Sequence, residues 1–454
     1  MSLNGRRNGQ LLDRFRLWLR WLEPGLGVKR WIALMGGGIF LVSVGAVLIV
    51  NFKLLDVLGV AVVRAIDMVY IVTGHVISPI FIGIVLLLLG TGIIVYGMRE
   101  TIGAIVDVFL PRGDPRLVEM ILKQRQLQRG PRIVVLGGGT GLSTLLRGLK
   151  KVSTNLTAVV TVFDDGGSSG RLRREQGILP PGDIRNCLVA LAEAEPLLTK
   201  LFTHRFKGGD LDGHSFGNLF IASMTQVTGD LETAVKECSK VLAIRGRVLP
   251  TTLRDVVLCA EMADGAVVEG ESAITRAGGT IRRVFLKPAR VPALQDVLEA
   301  IAEADLIVLG PGSLYTSVLP NLLVDGVVEA LRRSPALKVY VCNVMTQQGE
   351  TRGFRASDHV RVLLEQGGKG LFEYVLVNTR RPRNQALLAR YSQQGAEPVE
   401  PDVEAIRAFG LRPVSEDLIS EEELVRHDPR KITAVLLQLV ASVSPEARRV
   451  GVPL

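Results

Sequence analysis

The chain has 454 residues and a formal net charge of +9 at pH 7, so length alone leaves room for more than one folded unit. Residues 1–131 hold 15 Lys or Arg and 8 Asp or Glu, which places most of the positive charge in the N-terminal part and gives no indication of nucleic-acid binding. Four widely spaced cysteines without a C-x-x-C pair, each in an apolar context, are typical of buried, reduced thiols.

Two uncharged apolar runs, residues 31–50 and 77–97, explain the positive mean hydropathy of +0.30. Each is long enough for a transmembrane helix at about 1.5 Å rise per residue. Lys and Arg are concentrated before the first run, so the positive-inside rule predicts a multi-pass cell-membrane protein whose N-terminus and C-terminal domain are cytoplasmic. A signal peptide is the alternative for the first run, and residues 58–73 are either interfacial or a third span.

The predicted organisation has three parts. Residues 1–98 form an N-terminal membrane anchor with two transmembrane helices. Residues 99–130 are polar and helical in pattern and form a cytoplasmic connector. Residues 131–454 form a globular domain, in which strand and helix patterns alternate as expected for an α/β fold.

Residues 132–149, RIVVLGGGTGLSTLLRGL, predict a buried strand, a glycine turn and a helix with one apolar face. Glycine allows an anion to approach the backbone, and the free N–H groups of the first helical turn point at that anion. The spacing matches neither the dinucleotide G-x-G-x-x-G nor a Walker loop, so a phosphate site and a tight glycine turn both stay open. The candidate ligand-binding residues here are Gly137, Gly138, Gly139, Thr140, Gly141 and Ser143.

A second strand is predicted at residues 156–163, and it would form a parallel crossover unit with the first. It ends in DDGGSSGR, where an acidic residue is well placed to hold a ribose hydroxyl or a magnesium ion. An Asx turn capped by glycines is the alternative. The candidate ligand-binding residues are Asp164, Ser168, Ser169 and Arg171, and the candidate magnesium ligands are Asp164 and Asp165.

Two helix starts carry further polar residues. The segment PPGDIRN contributes Asp183, Arg185 and Asn186, and HSFGNL contributes Asn218. Ordinary helix capping explains Asp183 equally well, and the histidine before the second helix is interpreted as a surface residue. No spacing of His, Cys and Asp predicts a zinc site, and no G-x-S-x-G nucleophile elbow is present.

Residues 246–286 change to short alternating runs around an Asp-Gly turn, which predicts a small antiparallel insert. The parallel pattern returns at residues 305–309, and residues 374–378 are predicted as the last core strand. A second glycine loop follows residue 309 and is expected to face the first across the crevice at the carboxyl ends of the strands. Candidate residues from this half are Gly310, Gly312, Ser313, Tyr315, Thr316 and, after a further strand, Arg352.

Taken together, the segments GGGTGLSTLLRGLK, DDGGSSGRLR, PPGDIRNCL, HSFGNL, LGPGSLYTSVLPNLLV and CNVMTQQGET resemble one family. They look like the gluconeogenesis-factor, or YvcK-type, branch of the CofD-like superfamily that includes 2-phospho-L-lactate transferase. The resemblance implies a Rossmann-like three-layer α/β domain with a parallel sheet, often found as homodimers. It also implies binding of UDP-sugars, notably UDP-N-acetylglucosamine, and a role in cell shape and wall-precursor metabolism during gluconeogenic growth.

On this resemblance, residues 131–454 are a nucleotide-sugar-binding domain, and its possible partners include wall-synthesis proteins. The first glycine loop would hold the diphosphate and the second would close the other side. Arg171, Arg185 and Arg352 would neutralise charge, and the two asparagines would contact sugar or base. The competing prediction is a phospholactyl- or phosphoryl-type transferase that uses a nucleotide-activated donor and magnesium. A nicotinamide-dinucleotide protein is disfavoured by the missing third glycine.

Overall fold

The computed structural model describes residues 116–193, 196–422 and 424–443, together with positions 39, 60, 64, 68, 70 and 71. The chain divides into two compact units, Met1–Arg125 and Gln126–Leu454. None of the helices among the described residues is long and apolar enough to cross a membrane. This finding contradicts the predicted multi-pass membrane localisation. The apolar runs on which that prediction rested, together with residues 58–73, lie outside the described residues apart from isolated positions.

The described residues of the second unit form twelve strands in three sheets. In chain order they are β1 (Ile133–Gly137), β2 (Leu156–Val160), β3 (Arg247–Pro250), β4 (Val257–Met262), β5 (Val267–Glu269), β6 (Ile281–Lys287), β7 (Leu306–Leu309), β8 (Leu337–Val341), β9 (Tyr374–Asn378), β10 (Arg412–Glu416), β11 (Ile419–Glu421) and β12 (Val425–His427).

The main sheet has seven parallel strands in the order β10-β9-β8-β7-β1-β2-β3. The chain therefore runs outward from β1 to β3 and then returns to the other side of β1 at β7. This is the Rossmann arrangement, and the point of reversal between β1 and β7 is where such sheets bind ligands. The Rossmann-like α/β fold predicted from the sequence is confirmed.

Fifteen α-helices and one π-helical turn, Leu314–Val318, accompany the strands in the described residues. The helices are α1 (Arg116–Gln128), α2 (Gly139–Leu149), α3 (Gly167–Gln176), α4 (Gly182–Leu191), α5 (Pro196–Thr203), α6 (Phe216–Thr228), α7 (Leu231–Val241), α8 (Glu271–Ala277), α9 (Gln295–Glu303), α10 (Leu319–Leu322), α11 (Val327–Arg333), α12 (Ala356–Gly367), α13 (Gln385–Gln393), α14 (Val403–Ala408) and α15 (Pro429–Val443).

The core lies on both faces of the main sheet. Strands β1 and β2 are buried at every position because helices cover both sides, and this explains their unbroken apolar sequences. Helix α2 buries its leucines at helical spacing, each contributing about 1.5–3 kcal/mol of burial free energy. It packs closely on α15, because a β-carbon at Gly148 would lie 2.4 Å or less from the start of that helix at Pro429 and Thr433. The C-terminal helix is therefore part of the same packed layer as α2.

The antiparallel insert is also confirmed, as the three-stranded sheet β5-β4-β6 with Asp264 and Gly265 in the β4–β5 turn. Two predictions from the sequence were wrong, namely where the insert begins and which strand is the last of the main sheet. β3 opens the region assigned to the insert but pairs with β2 in the main sheet, and β10 extends that sheet beyond the strand predicted to be last. β11 and β12 form a separate antiparallel hairpin, which the alternation of apolar and polar residues did not predict.

Candidate functional site

The first glycine loop joins β1 to α2 in a conformation that excludes side chains. Gly139 has φ of +64°, in the left-handed region that favours glycine. Gly138 is extended, but a β-carbon there would lie 2.5 Å from Asp183 Oδ2 and 2.9 Å from Thr161 Oγ1. The helix begins at Gly139, as predicted, so the free N–H groups of its first turn lie at the carboxyl edge of the sheet.

The second glycine loop follows β7 and meets the first directly. Gly310 has φ of +76°, and its N–H donates to the carbonyl of Leu136, 2.8 Å away. A β-carbon at Gly141 would lie 2.6 Å from the carbonyl oxygen of Pro311, and one at Gly312 would lie 3.3 Å from that of Gly138. The prediction that the two loops face each other at the strand ends is therefore confirmed.

A cleft of about 230 Å³ opens between these loops. Backbone-rich segments form one side, and side chains from the C-terminal part of the domain form the other. Its lining consists of Gly138, Gly139, Thr140, Gly141, Thr144, Pro311, Gly312, Ser313, Ser317, Asn343, Val344, Met345, Gln347, Tyr391, Leu424, Val425, Arg426 and His427.

Arg426 and His427 were missed by the sequence reasoning. Both come from β12, where alternation exposes the arginine and buries the histidine. Burial lowers the pKa of His427 to about 4, so its imidazole is neutral at physiological pH. Its Nε2 is buried, and no hydrogen-bond partner for it occurs among the described residues. The only local signal was a three-residue Val-Arg-His run, too short to establish a strand period.

A second polar cluster lies at the starts of α3, α4 and α6. Arg185 Nη1 donates to Ser215 Oγ (2.6 Å) and Asn218 Oδ1 (3.0 Å), and Nη2 donates to Asn186 Oδ1 (2.8 Å). Asn218 Nδ2 in turn donates to Ser169 Oγ at 3.4 Å. Burial lowers the pKa of Arg185, which remains a cation held by neutral oxygens. The structure thus brings together four predicted residues from three separate motifs.

Two carboxyl groups, those of Asp183 and Asp164, link this cluster to the cleft. Burial raises the pKa of Asp183 to about 6, although the backbone N–H of Gly139 and the Arg185 cation oppose the rise. The negative charge of Asp164 adds to it. A β-carbon at Gly182 would lie 2.9 Å from Asp164 Oδ2, so this carboxylate reaches the start of α4. Burial, followed by the charges of Asp164 and Asp183, also raises the pKa of Glu271 well above its usual value.

Asp165 accepts from a different N–H group than Asp164 does. Its Oδ1 accepts from the N–H of Ser272 at 2.8 Å, and its other oxygen crowds Gly270 at the start of α8. Asp164 Oδ1 instead accepts from the N–H of Gly166. Across the described ranges, no three His, Cys, Asp or Glu side chains are grouped as metal ligands. Of the adjacent pair, Asp164 reaches the start of α4, whereas Asp165 is held at the start of α8. Mg²⁺ needs only one or two protein carboxylates beside phosphate oxygens and water.

The remaining predicted residues lie elsewhere. Ser168 is buried and hydrogen-bonds His214 Nδ1 at 3.1 Å, so the histidine interpreted as a surface residue is a core residue. Arg171 Nη2 donates to the carbonyl of Asp212 at 2.5 Å. Ser143 Oγ donates to the carbonyl of Thr140, back along its own helix.

Three candidate residues that follow β7, namely Tyr315, Thr316 and Arg352, make other contacts or face solvent. Glu350 accepts from Thr316 Oγ1 at 2.8 Å and from the N–H of Tyr315 at 3.1 Å. Both residues are buried, so they hold a carboxyl group rather than line the cleft. Arg352 is exposed and is not part of the cleft lining.

Comparison with known proteins gives one family from the sequence and a similar fold from a solved structure. The sequence profile of the family described as 2-phospho-L-lactate transferase CofD matches residues 133–419. A putative gluconeogenesis factor from Nostoc sp. is 50% identical over 441 residues, 96% of each chain. The gluconeogenesis factor of Bacillus subtilis is 51% identical over 312 residues, 68% of this chain and 98% of its own. A Bacillus halodurans crystal structure is similar with a TM-score of 0.66 and 52% identity, covering 68% of this chain and 99% of that one.

Proposed function

The chain belongs to the CofD family, in the branch of the gluconeogenesis factors, and from this premise we propose that it binds a nucleotide sugar and acts as a regulator. The ligand is UDP-N-acetylglucosamine or a close relative. The regulated processes are cell shape and wall-precursor metabolism during gluconeogenic growth. The active form is a homodimer, and wall-synthesis proteins respond to its liganded state.

The observation that carries this proposal is the approach of the two glycine loops across the cleft. At the start of α2, backbone N–H groups and the positive end of the helix dipole favour an anion without any side chain. Across the cleft, Arg426 offers a guanidinium that pairs bidentately with phosphate oxygens. A diphosphate is thus held between backbone donors on one side and a cation on the other.

The polar cluster next to the cleft supports recognition of the rest of the ligand. Arg185, Asn186 and Asn218 present guanidinium and amide groups, which suit sugar hydroxyls or the edge of a uracil. Their mutual hydrogen bonds fix these groups before the ligand arrives, so less conformational entropy is lost on binding.

A magnesium-dependent transferase is the second candidate, and the raised pKa of Asp183 favours it. A carboxyl group that titrates at about 6 beside a ligand cleft is suited to accept a proton from an attacking hydroxyl. Asp164 would hold the magnesium ion, which would supply charge neutralisation at the phosphates when bound. Asp183 itself would orient the hydroxyl and take its proton.

Calorimetric titration of the full chain with a ligand panel tests the proposal. We expect saturable binding of UDP-N-acetylglucosamine and little binding of NAD or GTP. Equal affinity for all three would contradict a nucleotide-sugar site. Prolonged incubation with magnesium and an added hydroxyl acceptor then separates the candidates. A regulator returns the nucleotide sugar intact, whereas a transferase consumes it by transfer to the acceptor or to water.

A further inference from the structure

Asn321 is completely buried at the point where the two glycine loops meet. It lies in α10, immediately after the π-helical turn. Its Nδ2 donates to the carbonyl of Ser317 at 2.9 Å and to that of Gly137 at 3.4 Å, and its Oδ1 accepts from Thr251 Oγ1. One side chain therefore joins the end of β1, the turn after β7 and the residue that follows β3.

The orientation of this amide is fixed by the chemistry of its neighbours. The carbonyl oxygens of Gly137 and Ser317 can only accept, so they require the NH₂ group of Asn321. Its oxygen must then face Thr251, whose hydroxyl has a single proton to donate. The carbonyl of Val160 also lies 3.1 Å from that hydroxyl, but only donation to Asn321 satisfies the buried amide oxygen.

These hydrogen bonds act on the cleft through two backbone groups. Ser317 is part of the cleft lining and is held through its carbonyl. The carbonyl of Gly137 belongs to the same trans peptide as the N–H of Gly138, and the two groups point in opposite directions. With the carbonyl held toward Asn321, the Gly138 N–H is directed away from it. Asn321 thus supports a peptide orientation in one loop, which the N–H of Thr161 also holds through the Gly137 carbonyl at 3.3 Å, and it fixes the position of a wall residue in the other loop.

We infer that Asn321, oriented by the hydroxyl of Thr251, is a positioning residue that sets the spacing of the two glycine loops for diphosphate binding. The inference rests on the proposed function, because it assumes a diphosphate ligand in the cleft. Asn321 does not touch that ligand. It acts through Gly137 and Ser317, whose geometry it holds with neutral hydrogen bonds inside a core that excludes water.

A matched pair of substitutions at Thr251 separates positioning from stability. Thr251→Val keeps the side-chain volume but removes the donor, and Thr251→Ser keeps the donor but removes a buried methyl group. In the full chain we expect Thr251→Val to weaken UDP-N-acetylglucosamine binding about tenfold, the scale of one buried hydrogen bond, with Thr251→Ser within about twofold of the unaltered protein. We expect the ³¹P resonances of the bound diphosphate to shift in the Val variant and to stay unchanged in the Ser variant.

Melting temperatures measured on the same samples complete the test. Thr251→Ser should lower the melting temperature because of the lost methyl group, while leaving affinity intact. Wild-type affinity in Thr251→Val would overturn the inference, and so would an equal loss of affinity in both variants that follows their melting temperatures. If the unaltered protein binds no UDP-N-acetylglucosamine, the proposed function fails and the inference fails with it. This outcome is distinct from the two contradicting results above, in which the unaltered protein binds and only the Thr251 variants decide.

Discussion

Gly141 faces the carbonyl oxygen of Pro311 so closely that a β-carbon at Gly141 would lie only 2.6 Å from it. This contact joins the first turn of α2 to the loop after β7, on the two sides of the strand-order reversal. Because the opposing atom is backbone, it cannot move aside as a flexible side chain would. The width of the cleft therefore depends on the absence of a side chain at this position.

We predict that Gly141→Ala separates the two loops. The cost in stability should be about 1–3 kcal/mol, as for an overpacked core site, and ligand affinity should fall because the two walls no longer match one diphosphate. Gly279→Ala, away from the cleft, is the control, since its β-carbon would meet only the flexible end of Met262 at 3.0 Å. Urea unfolding and calorimetric titration measure both effects. Unchanged affinity in Gly141→Ala would show that loop spacing does not matter for binding.

A second prediction compares two arginines. Arg426 lines the cleft, whereas Arg352, which the sequence analysis favoured, is exposed outside it. Removing a charged hydrogen-bond partner of phosphate costs about 1.5–3 kcal/mol, so Arg426→Ala should weaken binding of UDP-N-acetylglucosamine at least about tenfold. Arg352→Ala should leave it unchanged. The reverse order of effects in the same titration would restore the assignment made from the sequence.

The acidic pair after β2 gives a third prediction, about magnesium. Asp165 holds the start of α8 through the N–H of Ser272, while Asp164 reaches toward α4 and Asp183. Asp165→Asn keeps an oxygen for that hydrogen bond and should preserve any magnesium enhancement of nucleotide-sugar binding. Asp164→Asn should abolish the enhancement. Titrations with magnesium and with a chelator measure it, and equal losses in both variants would instead support joint ligation by the adjacent pair.

The glycine loops were predictable because their signal is local and physical. Strand β1 is apolar at every position, and the cluster of glycines after it permits positive φ and close approach at Gly139 and Gly141. The same combination after β7 located the second loop. Parallel strands end at one edge of a sheet, so the meeting of these loops followed from topology alone.

The far wall of the cleft was not predictable in this way. Arg426 and His427 lie on a three-residue strand, which is too short to produce a recognisable period. Burial of His427 and of Asn321 comes from packing between segments distant in sequence. The same applies to Asp165, whose partner Ser272 is 107 residues away. Adjacent carboxylates appeared to be a pair in the sequence, but they accept from the N–H groups of different segments.

The buried carboxyl of Asp183 makes stability depend on pH. Its pKa is raised from 3.8 to about 6, chiefly by burial and further by the charge of Asp164, while the N–H of Gly139 and the charge of Arg185 oppose the rise. The folded state therefore binds the proton more tightly than the unfolded chain does. The contribution of this group is fully favourable below the unfolded pKa and is lost as pH rises through about 6.

We predict that Asp183→Asn changes the free energy of unfolding more favourably at about pH 8 than at about pH 4. The difference should be up to about 3 kcal/mol, because the variant has no charge to desolvate. Asparagine retains an oxygen for the N–H of Gly139, so the loop keeps its contact. Urea unfolding across this pH range gives the difference directly. A stability difference between Asp183→Asn and the unaltered protein that does not change with pH would mean that Asp183 titrates as it does in the unfolded chain. Asp183 would then lack the raised pKa that suits a proton acceptor at the cleft.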